Sequence, residues 1–136
     1  MDSKNVTVIV EATVNPHWIE FCTNDTDLFR SSYCGYWLSG LVHDERLGWL
    51  CCVKMELDGE PSISDIAERP DYPDTVQAWV DGKPLPVGFY SVNKDIAIKA
   101  YKFGIEKSGL DWYENGDGSD YDCAIQKALF SEVRYG

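Results

Sequence analysis

The sequence has little positive charge and no long apolar run. Its 136 residues contain 12 Lys and Arg against 23 Asp and Glu, which gives a formal net charge of −11. Proteins that bind nucleic acid through phosphate contacts need clustered Lys and Arg, so this balance argues against direct nucleic-acid binding. No eighteen consecutive apolar residues and no apolar secretory segment are present. We therefore expect a cytoplasmic protein without a membrane span.

Motifs that identify common enzymes and metal sites are also lacking. The sequence has no glycine-rich phosphate loop with Lys and no assignable serine–histidine–aspartate signature. Its five cysteines include no CxxC pair, and the Cys and His spacing does not match a structural zinc site. We expect the cysteines to be reduced thiols that fill the core. The adjacent Cys51 and Cys52 must point to opposite faces if they lie in a strand. We expect no cofactor.

What the sequence does contain is negative charge concentrated in two segments. Residues 56–81 have eight acids and one base, Arg69, and residues 111–122 have five acids and no base. Such segments attract basic surfaces or imitate a polyanion, and aromatic residues beside them are candidate anchors. The residues predicted to bind a partner are Glu56, Asp58, Glu60, Asp65, Glu68, Asp71, Tyr72, Asp74, Trp79, Asp111, Trp112, Tyr113 and Glu114.

Alternating apolar residues and turn signals predict strands in the first two thirds of the chain. Residues 6–14 and 49–57 alternate as half-buried strands do, whereas residues 17–22 fit a short strand or turn. Asp81-Gly82 lies between apolar stretches and predicts a hairpin that pairs residues 76–80 with residues 83–87. Pro84 and Pro86 would make the second strand of this hairpin a sheet edge, with Trp79 stacked on Pro84.

The last third of the sequence predicts two helices. Apolar residues recur at helical spacing from Ile96 to Ile105, with Asn93 as the N-cap and Ser108-Gly109 as the end. A second helix is expected to begin at Ser119 or Asp120, with Ser119 and Asp122 as a capping box. Strands followed by helices indicate an α+β fold. We predict one α+β domain over residues 1–136, in which a small antiparallel sheet with an edge hairpin packs against two C-terminal helices.

A metal-dependent enzyme is an alternative function. The run ENGDGSDYD brings Asp117, Asp120 and Asp122 together beside two glycines, and hard cations prefer clustered oxygen ligands. Its spacing does not match an EF-hand loop, and a capped helix start accounts for the same residues. The prediction is therefore no metal site, with these three acids kept as the candidates should one exist.

The ending YDCAIQKALFSEVRYG, the segment GYWLSG and the small acidic format resemble uncharacterised accessory proteins of bacteriophages and mobile elements. Small acidic phage proteins of this kind include anti-CRISPR and anti-restriction inhibitors. The resemblance implies a non-enzymatic inhibitor that binds a basic surface of a host protein or ribonucleoprotein complex, where nucleic acid would bind. A further hypothesis is a phage structural or assembly protein. Its predicted sheet edge with Pro84 and Pro86 would limit how subunits pack. The oligomeric state stays open.

Overall fold

The computed structural model describes residues 14–54 and 72–135, and within them an α+β fold. A 3₁₀ turn covers Asp27–Phe29, and no helix in the described ranges is long and apolar enough to cross a membrane. The helices are α1 (Pro16–Thr23), α2 (Tyr72–Val80), α3 (Lys94–Ser108), α4 (Trp112–Asn115) and α5 (Gly118–Phe130), and the strands are β1 (Leu38–Asp44), β2 (Gly48–Val53) and β3 (Phe89–Val92).

The three strands form one antiparallel sheet in the order β1-β2-β3. In β1, Leu38 pairs with Val53 and Asp44 pairs with Gly48, with an irregularity between Gly40 and Val42. The central strand β2 confirms the predicted strand as far as Val53, and residues 55–57 lie outside the described part. Residues 6–13 of the strand predicted over residues 6–14 also lie outside it, and Val14 is in irregular chain. The sequence patterns do not predict β1.

Both faces of the sheet are covered, because successive side chains of β2 alternate between two apolar clusters. Cys51 and Val53 belong to the larger cluster, which includes Trp18, Ala97 and Ile125 from the helices α1, α3 and α5. Leu50 and Cys52 belong to a second cluster that includes Trp79 of α2 and Phe89 of β3. The prediction that Cys51 and Cys52 point to opposite faces is confirmed. All five cysteines are free.

Helix α1 replaces the short strand or turn expected at residues 17–22. The side chain of Asn15 accepts a hydrogen bond from the amide of His17, and Pro16 occupies the first turn, where its missing N–H costs nothing. Trp18 is fully buried, and its indole N–H donates to the Ala97 carbonyl at 2.8 Å. One hydrogen bond thus fixes α1 against α3.

The predicted hairpin at residues 76–87 is wrong, because residues 72–80 form the helix α2. The amide of Gly82 donates to the Trp79 carbonyl at 3.2 Å, and the amide of Lys83 donates to the Ala78 carbonyl at 2.8 Å. With a φ of +70° at Gly82, these bonds form a Schellman C-cap, which uses glycine for the same conformational reason as a hairpin turn. Pro84 and Pro86 follow in irregular chain, so they mark no sheet edge.

The two C-terminal helices confirm the prediction, with one correction at the start of α5. Asn93 caps α3 by accepting from the Ile96 amide at 2.9 Å. Helix α5 begins at Gly118, and its capping box joins Asp117 to Asp120 instead of Ser119 to Asp122. Asp117 accepts from the amides of Ser119 and Asp120, while Asp120 accepts from the Asp117 amide.

Candidate protein-binding surface

The predicted partner-binding residues have four different positions in the structure, of which the half-buried one belongs to Tyr113. Glu56, Asp58, Glu60, Asp65, Glu68 and Asp71 lie outside the described residues, as does the side chain of Tyr72. Asp74, Asp111 and Glu114 are exposed. Trp79 and Trp112 are only 5% and 3% exposed, so in this conformation each is a core residue that offers no ring face to a partner.

The described parts of the two acidic segments lie on opposite sides of the sheet. Trp79 fixes α2, with the exposed Asp74, against the smaller apolar cluster. Trp112 fixes α4 within the larger cluster, where its ring centroid is 5.2 Å from that of Trp18. Because these clusters cover different faces of β2, one flat partner surface does not reach Asp74 and Glu114 together.

Half-buried aromatic side chains form a continuous surface beside the second acidic segment. Tyr33 stacks on Tyr121 with 6.2 Å between ring centroids, and Phe21 packs edge-on against Tyr33 at 5.0 Å. Tyr113 lies 5.5 Å from Tyr121. We call this set, Phe21, Tyr33, Tyr113 and Tyr121, the tyrosine face. It draws on α1, the segment before β1, α4 and α5.

Four carboxylates lie close enough to Tyr113 or Tyr121 to raise the pKa of its hydroxyl. Burial raises the pKa of Tyr113, and negative charge on Glu114 and Asp25 adds to the rise. Burial likewise raises the pKa of Tyr121, with further contributions from Asp120 and Asp117. Each carboxylate must lie near the tyrosine hydroxyl whose pKa it raises for this effect to operate. The tyrosine face therefore lies in a region of negative charge.

Local hydrogen bonds hold this region of the chain in place. The Tyr121 hydroxyl donates to the carbonyl oxygens of Tyr113 and Gly116 at 2.6 and 3.1 Å, which ties α4 to α5. The Asn115 side chain donates to Asp111 at 2.8 Å. Together with the capping box, these bonds fix the acidic segment as a structured surface. They also assign a structural role to Asp117 and Asp120.

Asp122 belongs to the interior, although it lies in the same acidic run. It is 6% exposed and accepts hydrogen bonds from the indole N–H of Trp37 at 2.7 Å and the hydroxyl of Tyr36 at 2.6 Å. The Gln126 amide donates to it at 3.1 Å. Asp122 therefore does not join Asp117 and Asp120 in an oxygen cluster. Among the residues that the structure describes, no three His, Cys, Asp or Glu side chains form a group suited to holding a metal ion.

Sequence reasoning found Tyr113 and Glu114 but missed Asp25, Phe21, Tyr33 and Tyr121 as their neighbours. These residues are separated by up to a hundred positions and meet only because α1 and α5 pack against α3. The signal available in the sequence was the apolar spacing of Tyr121 in α5, which indicates a buried side chain. Comparison of the chain with protein-family models, curated proteins and solved structures finds no match.

Proposed function

We propose that this chain is a non-enzymatic binding protein whose tyrosine face, bordered by Asp25, Glu114, Asp117 and Asp120, contacts a basic surface of a partner protein. The observation that carries the proposal is the combination of partly exposed aromatic rings with carboxylates at their edge. Aromatic side chains are frequent anchors of protein interfaces. Carboxylates beside them select Lys and Arg on the partner.

The proposed partner is a host complex that handles nucleic acid, and the proposed effect is inhibition. The resemblance to small acidic phage proteins suggests this partner, since a nucleic-acid-binding surface is a dense array of Lys and Arg. An anionic protein that occupies such a surface excludes the nucleic acid. The place of action would be the cytoplasm of the host cell.

Two of the carboxylates near the tyrosine face, those of Asp25 and Glu114, take no part in the capping box that holds Asp117 and Asp120. Within residues 14–54 and 72–135 the ion pairs join Arg30 to Asp27 at 3.0 Å and Arg46 to Asp44 at 4.0 Å. Neither pair uses an acid that borders the tyrosine face. Among the described residues, therefore, no Lys or Arg has to leave Asp25 or Glu114 before a partner binds.

Aromatic rings and carboxylates contribute to different steps of binding. Exposed charges are screened over about 8 Å at physiological salt, so the carboxylates mainly accelerate association. Rings that are already packed against one another lose little side-chain freedom on binding, and a guanidinium placed over a Tyr ring gains a cation–π contact. We therefore expect charge reversal to affect the association rate and ring removal to affect the dissociation rate.

The test compares two double charge reversals. Asp25→Lys with Glu114→Lys changes the tyrosine face, and Asp74→Lys with Asp81→Lys makes the same charge change on α2 and the residue that follows it. Partners purified from a host with the wild-type protein are measured against all three proteins by surface-based kinetics at several salt concentrations. We expect the first pair to slow association about tenfold or more and to reduce its salt dependence, while the second pair leaves it near the wild-type value.

Circular dichroism of both double variants establishes that each is folded. Equal association rates for both pairs, or a loss confined to the α2 pair, would contradict the assignment of the tyrosine face as the binding surface. Inhibition is tested separately, by adding the protein to the purified partner complex and measuring its binding to target DNA. A partner that binds DNA equally well with and without the protein rules out the inhibitor role but leaves the contact surface intact.

A further inference from the structure

A cavity of about 350 Å³ lies on the side of the molecule that carries α2. Its walls come from the β1–β2 turn, the chain that follows α2, the end of β3 and the start of α3. This volume lies within the range of about 300–1,000 Å³ that is typical of small-molecule sites. The cavity is separate from the tyrosine face, since α2 and α4 cover opposite faces of the sheet.

The charge around this cavity is opposite to that of the molecule. Arg46, Lys83 and Lys94 line it, against a single acid, Asp95. The chain as a whole has nearly twice as many acids as bases. The residues that line this cavity therefore have a net positive charge, whereas the molecule is negative. The contact of Arg46 with Asp44 is 4.0 Å long, and the Arg46 side chain is 84% exposed. Such pairs contribute little.

The inner wall of the cavity is apolar and rigid. Trp79 lines it together with Leu47 and Leu85, and all three pack in the smaller apolar cluster. The Trp79 indole N–H donates to the Ser91 hydroxyl at 3.0 Å, which fixes the plane of the ring. A ligand that enters therefore meets an apolar surface behind a cationic rim.

The start of α3 adds backbone donors to the same rim. Asn93 satisfies the amides of Ile96 and Ala97, through its side-chain oxygen and its carbonyl respectively. The amides of Lys94 and Asp95 precede the first intrahelical hydrogen bond, as at any helix start. Lys94 and Asp95 both line the cavity, and free amides at a helix start can donate to an anion.

We propose that this cavity binds a small phosphate monoester with an apolar body, whose phosphate lies among Arg46, Lys83 and Lys94 and whose body lies against the half-buried Leu47 and Leu85, next to the edge of the Trp79 ring. A phosphate dianion has three terminal oxygens and accepts charge-assisted hydrogen bonds from several donors at once. A carboxylate has two oxygens and a single charge, and it would leave part of the rim unused. The apolar wall favours an organic phosphate over free phosphate.

The binding test uses phenyl phosphate, inorganic phosphate, diphenyl phosphate and phenol as probes, followed by ¹H–¹⁵N NMR of the whole chain. We expect phenyl phosphate to shift the Trp79 indole signal and the amides of Lys94 and Asp95 with saturation. Inorganic phosphate should shift the two amides at higher concentration, and the singly charged diester and phenol should bind more weakly than phenyl phosphate. Equal binding of phenol and phenyl phosphate, or shifts spread over lysines outside the cavity, would overturn the proposal.

Single substitutions distinguish a built site from general attraction of an anion. Lys83→Ala and Lys94→Ala should each weaken phenyl phosphate binding about tenfold, the usual effect of losing a charged hydrogen bond. Asp95→Asn should strengthen it, because the one opposing charge is removed. Lys107→Ala is the matched control, since Lys107 lies about 20 Å from Lys94 along α3. Equal losses for Lys94→Ala and Lys107→Ala would contradict the assignment.

Discussion

At the scale of single residues, the role of an acid depends on what surrounds its carboxylate. Asp117 and Asp120 hold the first turn of α5 through backbone amides, whereas Asp122, two residues further on, faces inward. Its two oxygens accept from Trp37 and Tyr36. Of three acids that look alike in the sequence, two therefore cap a helix and the third accepts hydrogen bonds inside the core.

Replacing Asp122 separates the effect of its charge from the effect of its hydrogen bonds. Asp122→Ala leaves the Trp37 indole N–H buried without a partner, so we expect the free energy of unfolding to fall by about 3 kcal/mol. Asp122→Asn keeps an acceptor oxygen and should cost less. Urea denaturation of both variants gives the two values, and equal losses for Ala and Asn would show that the hydrogen bond to Trp37 is not the main contribution.

At the scale of secondary structure elements, α2 shows how one dipeptide suits two structures. Asp81-Gly82 fits a hairpin turn and a helix C-cap equally well, because both need a positive φ at glycine. The residues before it decide between them. Thr75 and Trp79 are buried four positions apart, with the half-buried Val76 beside them, and this is a helical period. Pro84 and Pro86 were predicted to make the second strand of the hairpin a sheet edge, but no strand forms there.

The contact between α3 and α4 depends on a glycine inside a helix. A Cβ at Gly104 would come within 2.2 Å of the Trp112 ring. Alanine favours a helix over glycine by about 1 kcal/mol, but we expect the steric conflict to outweigh this gain. Gly104→Ala should therefore lower the free energy of unfolding by about 1–2 kcal/mol, as overpacked cores do.

Thermal unfolding and near-ultraviolet circular dichroism of Gly104→Ala check this expectation. Adding Trp112→Leu to the same chain creates space beside position 104, so the further effect of Gly104→Ala should be smaller there or stabilising. A melting temperature of the single variant at or above that of the wild type would show that the Trp112 ring moves aside without cost.

At the scale of the whole molecule, two apolar clusters on either side of one small sheet keep several titratable groups neutral. Burial raises the pKa of the Cys22, Cys34 and Cys51 thiols well above the usual value. Burial also raises the pKa of Cys52 to about 11, although nearby Lys54 lowers it. Burial and the hydrogen bond to Asp122 raise the pKa of Tyr36. Folding thus favours the protonated form of each group.

This linkage predicts lower stability in alkaline solution. A group whose pKa is raised by folding stabilises the folded state below its unfolded pKa, and that contribution is lost as the pH rises through the folded pKa. For Cys52 the window runs from about 9.0 to about 11. We expect the urea midpoint to change little between pH 7 and 8 and to fall from pH 9 to 11. Constant stability up to pH 11 would contradict the burial of these thiols.

Local sequence determined much of the secondary structure of this chain. The period of α3, the caps at Asn93 and Gly109, and the alternation of β2 depend on near neighbours, and each is confirmed. The α+β class follows from the same patterns. The composition also fixes the net charge and the concentration of acids, because these need no structure.

Only the tertiary structure decided which of these residues share a surface. It buried Trp79 and Trp112 and turned Asp122 inward. It brought Asp25 and Tyr33 to Tyr113 and Tyr121, and placed Asp74 of α2 on the other side of the sheet. The physical reason is that packing joins residues far apart in the chain, whereas sequence periodicity indicates only which face of a single helix or strand is buried. Both proposed sites, the tyrosine face and the cationic cavity, are products of that packing.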